Sequence, residues 1–332
     1  MQPVARLLLP RTPVAALAAL TFAAGVAGMA VSFLFLASDH QLDVAAGAAG
    51  FVAGSVLVAA GLVSISVQRP RTADESDGST VLDLPPDVAR WAAHFRSNKE
   101  NRPEPDWAAP VTLPAAVIAP LVRSLEQFQL GDGGGPAYLI ARDRERFLAA
   151  AEGTRDLVDL WFAEEREHAR LLGGAVDRFG GRRIGGHWSF SAFCLVRTWL
   201  GVRFELTVLL LTEIVSTVYY RLLLRHGEDP ALRSLCRLIM RDEIGHVSFH
   251  RDRLARQARA GLSGFGRLWA VQFRLLGLAA ATVLWLSHAP GLTALGATRR
   301  EFYRDIGREL SAFIARLRRE VAAPAPVDGR LS

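Results

Sequence analysis

Two Glu-x-x-His pairs stand out among the residue types in this chain that could do chemistry. Glu165 and His168 occur in LWFAEEREHARLL, and Glu243 and His246 occur in LIMRDEIGHVSFH. Residues three apart on an α-helix lie on one face, so a carboxylate and an imidazole at this spacing can hold one metal ion together. The two pairs therefore predict two halves of a metal site.

Both pairs continue an apolar helical stripe. The first pair follows Leu157 and Trp161, and the second follows Leu235 and Ile239, in each case at helical spacing. A buried carboxylate is costly unless a cationic group compensates it, and a pair of metal ions is the simplest compensation. Two alternatives are core residues paired with arginines and a groove that is open to water.

A dimetal site in a four-helix bundle needs one further carboxylate from each of the other two helices. Glu213 suits the third helix because its surroundings, TVLLLTEIVSTVYY, are almost wholly apolar. Glu205, on the same predicted helix, lies beside Arg203 and is expected to be a surface or ion-pair residue.

The first helix offers two carboxylates. Asp132 continues the stripe of Leu125 and Phe128, although the glycines and proline that follow it could end the helix there. Glu126 lies one position off that stripe and is the alternative ligand from this helix.

The elements that must position these side chains are helices. Apolar residues recur at three- and four-residue spacing, without the sustained alternation typical of strands, so the chain is expected to be all-α. The pair Asp229 and Pro230 is a strong start signal for a helix. The pattern predicts a helical domain over 111–321, followed by a disordered tail over 322–332, with helices over 120–132, 156–173, 189–226, 230–260, 266–288 and 297–321. The last is an amphipathic packing helix, with binding to anionic lipid as an alternative.

Two uncharged apolar stretches precede this domain. The stretches 13–36 and 44–67 each exceed the roughly 20 residues needed to cross a bilayer as a helix, so 1–67 is predicted to be a membrane anchor built as a two-helix hairpin. A cleaved signal peptide is the alternative for the first stretch. The polar segment 68–110 is predicted to be a linker with one short helix around 86–95. The apolar run 275–286 is shorter than a span and predicts a buried or membrane-facing helix.

Composition excludes other function classes. The net charge of +6 comes almost wholly from scattered arginines, with Lys99 the only lysine, so no nucleic-acid-binding surface is indicated. Cys194 and Cys236 lie in apolar helical patterns, which excludes a disulfide framework and a cysteine zinc site.

The motifs resemble the ferritin-like diiron-carboxylate superfamily, which includes rubrerythrins, acyl-carrier-protein desaturases and demethoxyubiquinone hydroxylase. The doublets ahead of the histidines, Glu164-Glu165 and Asp242-Glu243, resemble the desaturase and bacterial ferritin-like patterns. The segments SLEQFQLGD, FAEEREHARLL, LTEIVSTVYYRLLL and RDEIGHVSFH are similar to bacterial ferritin-like proteins of unassigned activity. The resemblance covers about 113–259 and implies a ferritin-like four-helix bundle, here with additional C-terminal helices.

The resemblance also implies a role for each matching residue. It implies that Glu165 and Glu243 bridge two irons. The terminal ligands that it implies are His168, His246, Asp132 and Glu213. This chain has Asp132 where the first helix of the family usually supplies glutamate. Around the ligands, the residues expected to position them are Asp242, His250 and Glu164.

The expected function is that of a membrane-anchored diiron oxidoreductase that activates oxygen or peroxide, as oxygenases, desaturases or peroxidases do. Carboxylate and imidazole ligands suit Fe(II), and manganese or a mixed manganese and iron pair would use the same ligands. The electron donor is unknown, a lipid or quinone substrate would suit the anchor, and a homodimer is one expected assembly. Arginines flank the predicted hairpin on both sides, which predicts that both termini and the helical domain lie in the cytoplasm. The membrane expected from the resemblance to bacterial proteins is a bacterial inner membrane.

Two other functions stay open. One is iron binding or iron oxidation without an organic substrate, and the other is a metal-free helical scaffold. An oxygenase predicts an apolar channel beside the metals, with Tyr219 and Tyr220 as its lining residues, whereas an iron-oxidising protein predicts none.

Overall fold

The computed structural model of the chain describes residues 20–21, 24–25, 27–29, 31–32, 50, 54, 58, 87–100, 102–134, 138–198, 201–260 and 266–323. These residues form helices and connecting segments and include no strand, which confirms the all-α prediction for this part of the chain. The predicted spans 13–36 and 44–67 and the predicted tail 322–332 lie mostly outside the described residues.

The chain divides into two compact units. One unit comprises Met1–Ser76 and Arg267–Leu286, and the other comprises Asp77–Gly266 and Ser287–Ser332. In chain order the helices are α1 (Val88–Glu100), α2 (Ala115–Gln129), α3 (Arg144–Leu148), α4 (Thr154–Arg178), α5 (Trp188–Arg197), α6 (Val202–His226), α7 (Pro230–Arg259), α8 (Arg267–Ala294) and α9 (Arg299–Ala322), with a π-helical turn at Leu130–Gly134 directly after α2.

Four long helices, α2, α4, α6 and α7, form the core of the second unit. Helix α4 packs against α2 and α7, α7 packs against α6, and the ring of Phe128 on α2 stacks on Tyr219 of α6. Only three residues join α6 to α7, so these two helices are antiparallel. Helices α4 and α7 are also antiparallel, because Glu164 faces His246 while His168 faces Asp242. Hence α4 and α6 run in the same direction, and the connection through α5 spans the length of the bundle.

Helix α7 begins at the predicted signal. Asp229 is fully buried, and its carboxylate accepts a hydrogen bond of 3.0 Å from the backbone N–H of Leu232. The guanidinium of Arg178 donates to the other carboxylate oxygen at 2.8 Å. This capped start confirms the prediction made from Asp229 and Pro230.

The predicted helix over 189–226 is wrong, because the chain forms two helices there. Gly201 has a φ of +85°, a backbone conformation that interrupts α-helix and favours glycine. The carboxylate of Asp143 accepts a hydrogen bond of 2.9 Å from the N–H of Val202, which satisfies the first turn of α6. Sequence periodicity alone continues across this break.

The expected linker is partly a packed helix. Helix α1 is longer than predicted and packs against α4, with Trp91 and Phe95 buried. It also approaches α7 closely, since a Cβ on Gly245 would lie only 2.6 Å from Nε2 of His94. The helix Val88–Glu100 therefore packs on the bundle and is not part of a tether.

The apolar run 275–286 belongs to a longer helix than the sequence suggested. Helix α8 is continuous over 28 residues, and Trp269–Ala294 is long and apolar enough to cross a membrane by length and composition. Helix α6 meets the same criterion, but 78% of its apolar window is buried, as expected for a core helix. In the N-terminal stretches, a Cβ on Gly25 would lie 2.6 Å from the carbonyl oxygen of Gly54, so two backbones approach closely there.

Candidate metal centre

The two Glu-x-x-His pairs meet across α4 and α7. Nδ1 of His246 lies 3.1 Å from a carboxylate oxygen of Glu165 and 3.6 Å from one of Glu243. Nδ1 of His168 lies 3.6 Å from Glu165 and 4.0 Å from Glu243. Each imidazole therefore faces both glutamates, the one on its own helix and the one on the opposite helix. This arrangement follows from the antiparallel crossing of two helices that carry the same motif.

The other nitrogen of each imidazole is held by an acid of the opposite motif. Nε2 of His168 lies 3.2 Å from the carboxylate of Asp242, and Nε2 of His246 lies 2.9 Å from the carboxylate of Glu164. All four side chains are almost fully buried. Because a carboxylate accepts a hydrogen bond from Nε2–H, it fixes the ring so that Nδ1 points toward Glu165 and Glu243.

Without metal, these contacts favour the protonated imidazoles. Burial lowers the pKa of His168, but the hydrogen bond to Asp242 and the nearby carboxylate of Glu165 outweigh burial and raise it to about 10. The pKa of His246 is also well above its usual value, since the charge of Glu165 and the hydrogen bond to Glu164 outweigh burial. Metal binding at these nitrogens would therefore release protons.

Glu213 joins the same cluster from α6. Ligand atoms of Glu165, Glu213 and His246 all lie within 4.8 Å of one another. Glu213 also lies 3.4 Å from Nε2 of His250, one turn beyond His246. Burial raises the pKa of Glu213 well above its usual value. The charge of His246 lowers this pKa, whereas the charges of Glu243 and Glu165 raise it further.

Asp132 lies on the π-helical turn, next to the cluster. Its carboxylate accepts a hydrogen bond of 2.8 Å from the hydroxyl of Tyr220. Burial of the carboxyl group and the charge of Glu165 raise its pKa to about 8. Glu126 lies elsewhere, since its carboxylate accepts a hydrogen bond of 2.9 Å from the backbone N–H of Arg182. The structure thus places Asp132 within the electrostatic influence of Glu165 and Glu243 and uses Glu126 to hold a loop.

The expected surface position of Glu205 is wrong, although its ion pair is present. Glu205 is fully buried, and its carboxylate lies 2.8 Å from the guanidinium of Arg197. It also accepts hydrogen bonds from the backbone N–H groups of Ile140 and Ala141 at 2.8 and 2.9 Å. Glu205 therefore holds the backbone of the segment before α3 and takes no part in the cluster.

Sequence reasoning missed one residue at this site, Arg102. Its guanidinium lies 2.6 Å from Asp242 and 3.8 Å from Glu164, the two acids that hold the histidines. Arg102 lies in the segment expected to be a linker, and the run SNKENRPEPDW gives no signal that sets it apart. The ring of Phe95, from α1, also packs against His246 with centroids 5.8 Å apart.

The donor set fits a pair of divalent metal ions. Within the described part of the chain, several buried atoms that face the centre have no hydrogen-bond partner: Nδ1 of His168 and His246, both carboxylate oxygens of Glu213 and Oε2 of Glu243. Buried polar atoms are rarely left in this state. When ionised, the four carboxylates of Asp132, Glu165, Glu213 and Glu243 carry four negative charges, which two divalent ions balance.

Comparison of the chain with family models, with curated proteins and with solved structures gives no match. The ferritin-like resemblance therefore stays a hypothesis carried by the motifs quoted above. What the structure adds is a bundle of helices with a buried cluster of glutamate and histidine side chains.

Proposed function

We propose that this chain is a membrane-anchored diiron-carboxylate oxidoreductase that acts on oxygen or peroxide. The observation that carries the proposal is the pair of buried Nδ1 atoms, on His168 and His246, that face shared glutamates and lack any other partner in the described residues. Each ring is held in this orientation by an acid of the opposite motif, His168 by Asp242 and His246 by Glu164.

Six side chains would hold the two irons. Glu165 and Glu243, which both face the two imidazoles, would hold the irons together with His168 and His246. Asp132 and Glu213 would complete the set. Bound irons would supply two electrons to oxygen or peroxide in one step. Manganese, alone or paired with iron, would use the same atoms.

The surrounding residues prepare the cluster for this role. Asp242 and Glu164 orient the imidazoles, and Arg102 balances their charge. Trp161 and Phe95 pack against the ring of His246 and exclude water from that side. The side chain of Glu165 is 16% exposed, more than those of the buried ligands, so small molecules would enter on the side of Glu165 and Asp132.

The connectivity of the bundle supports the ferritin-like hypothesis. Helices α2 and α4 form one antiparallel pair and α6 and α7 another, with one long crossing connection between the pairs, as in ferritin-like folds. This topology and the paired motifs are independent observations that favour the same family.

The proposed location is the cytoplasmic face of a bacterial inner membrane. The two uncharged stretches of the N-terminal unit favour a transmembrane hairpin, as does the close approach of Gly25 to Gly54. The electron donor and a lipid or quinone substrate are proposed partners, because an anchored enzyme works next to such molecules.

Counting metal tests the proposal directly. The purified full-length protein, reconstituted anaerobically with ferrous iron, is expected to bind about two irons per chain. The Glu165→Ala, Glu243→Ala variant is expected to bind none. Oxygen uptake by the reduced protein, with and without an added quinol, then separates oxidation of a substrate from oxidation of iron alone.

The matched control removes two glutamates of the bundle that lie outside the cluster, one on α2 and one on α4. Glu126→Ala, Glu167→Ala is expected to keep the full metal content, since Glu126 holds a loop and Glu167 pairs with Arg170. Absence of bound metal in the unchanged protein would contradict the proposal and favour a metal-free helical scaffold.

A further inference from the structure

Helix α9 turns all its acidic residues toward the bundle. Glu301 pairs with His226 at 2.9 Å, Asp305 pairs with Arg225 at 3.2 Å, and Glu309 pairs with Arg221 at 2.7 Å. The fourth acid, Glu320, pairs with Arg251 at 2.5 Å. Basic residues of α6 and α7 therefore neutralise every carboxylate of α9.

The outward face of α9 carries only positive charge. None of its exposed residues is acidic, and five exposed arginines fall within a sector of about 100° around the helix axis. Asp305 is buried beneath two of them, 3.3 Å from Arg304 and 3.7 Å from Arg308, and is already paired with Arg225. The arginine face, as we name it, consists of Arg300, Arg304, Arg308, Arg318 and Arg319.

An anionic bilayer surface is the partner that this face fits. A row of arginines about 28 Å long, from Arg300 to Arg319 at the helical rise, matches a flat layer of negative headgroups. Nucleic acid fits less well, because no exposed residue of α9 is an aromatic side chain on which a base could stack. The anchor of the proposed function would hold such a surface close by.

We propose that the arginine face of α9 docks on the anionic headgroups of the membrane that holds the anchor. This inference rests on the anchoring part of the proposed function and is independent of the metal. Since α9 packs on α6 and α7, docking puts that pair of helices toward the lipid.

The test measures the accessibility of one cysteine in the full-length protein. Ser311→Cys lies at the middle of the arginine face and is placed in a Cys194→Ser background, because Cys236 is buried. The protein is reconstituted in lipid nanodiscs of phosphatidylcholine, with or without phosphatidylglycerol. The rate of labelling by a charged, membrane-impermeant maleimide is then compared between the two kinds of disc.

Labelling of Ser311→Cys is expected to be about fivefold slower in the anionic discs, and high salt is expected to remove the difference by screening. The Arg300→Gln, Arg304→Gln, Arg308→Gln variant is expected to label equally fast in both. Ala149→Cys, an exposed position at the end of α3, is the control and should not respond to lipid charge.

Three results would overturn the inference in distinguishable ways. Equal labelling of Ser311→Cys in both discs, with the protein retained in them, contradicts docking and leaves the anchor standing. Loss of the protein from the discs contradicts the anchor and docking together. Tighter binding of the arginine face to a nucleic-acid duplex than to anionic discs would reassign the face.

Discussion

The guanidinium of Arg102 lies 2.6 Å from the carboxylate of Asp242, whose same oxygen is 3.2 Å from Nε2 of His168. Arg102 also lies 3.8 Å from Glu164, which holds His246. One guanidinium, from the segment after α1, thus lies next to both acids that hold the imidazoles. Charge at Arg102 stabilises the ionised carboxylate of Asp242, and the two acids fix the rings.

Replacement of Arg102 should weaken metal binding without removing a ligand. We expect Arg102→Gln to lower metal affinity about 10- to 100-fold, the usual range for groups that orient metal ligands, and Arg102→Lys to restore part of it. Competition with a chelator measures the affinity. Arg90→Gln, which breaks the surface pair with Asp252, serves as the control and should leave the affinity unchanged.

The carboxyl group of Asp132 should destabilise the metal-free protein. Burial and the nearby charge of Glu165 raise the pKa of its carboxyl group, so ionisation there is unfavourable without metal. We expect Asp132→Asn to raise the melting temperature of the metal-free protein at pH 9 and to lower its metal content. A metal content equal to that of the unchanged protein would exclude Asp132 as a ligand. Glu126→Gln should change neither quantity.

The metal-free protein should lose stability as pH rises. The pKa of Asp132 is about 8 in the folded chain against 3.8 as its ordinary value, so the folded state binds more protons between these pH values. His168 acts in the same direction, because its pKa is raised from 6.5 to about 10 and the folded state therefore binds more protons than the unfolded chain between these pH values. Thermal unfolding between pH 6.5 and 9 measures the trend, which bound metal should flatten because metal replaces the protons.

Two adjacent tyrosines should respond differently to loss of their hydroxyl groups. Tyr220 donates to Asp132 and thereby lowers the pKa of that carboxyl group, whereas Tyr219 lies 2.6 Å from Ser124. Each phenylalanine variant should cost about 1–3 kcal/mol of stability through the buried partner it leaves. Only Tyr220→Phe should move the midpoint of metal uptake to higher pH, and an equal shift in Tyr219→Phe would contradict this assignment.

Two glutamates of α6 should show opposite effects. Glu205→Gln leaves Arg197 buried without its counter-charge and should cost about 3–5 kcal/mol, measured by urea unfolding, with no loss of metal. Glu213→Gln should abolish metal binding yet leave the metal-free protein at least as stable, because burial already favours the neutral acid. Retention of metal in Glu213→Gln would remove this residue from the ligand set.

Much of the fold could be predicted because apolar periodicity is a local signal. The capped start at Asp229 and the shared face of Glu243 and His246 follow from spacing alone. The break at Gly201 could not be predicted in this way, since the apolar pattern continues through it and the carboxylate that satisfies the new helix start comes from Asp143.

The centre was predictable as far as it depends on motifs within one helix. Arg102 escaped prediction because its role depends on a contact with Asp242, far away in the sequence and without local periodicity. Glu205 was misjudged because its neighbour Arg203 suggested a surface pair, while the buried partner is Arg197 on the preceding helix. Both cases are tertiary pairings of charge, which a pattern of apolar residues does not record.

The two crossed contacts between acids and histidines of α4 and α7 also fix the register of the two helices. Glu164 reaches His246 only while Asp242 reaches His168, so a slip of one residue along either helix would break both contacts at once. An apolar seam tolerates such slips better than a paired set of charges does. The same four side chains that orient the imidazoles therefore also select one alignment of the bundle, and metal binding would report that α4 and α7 have paired correctly.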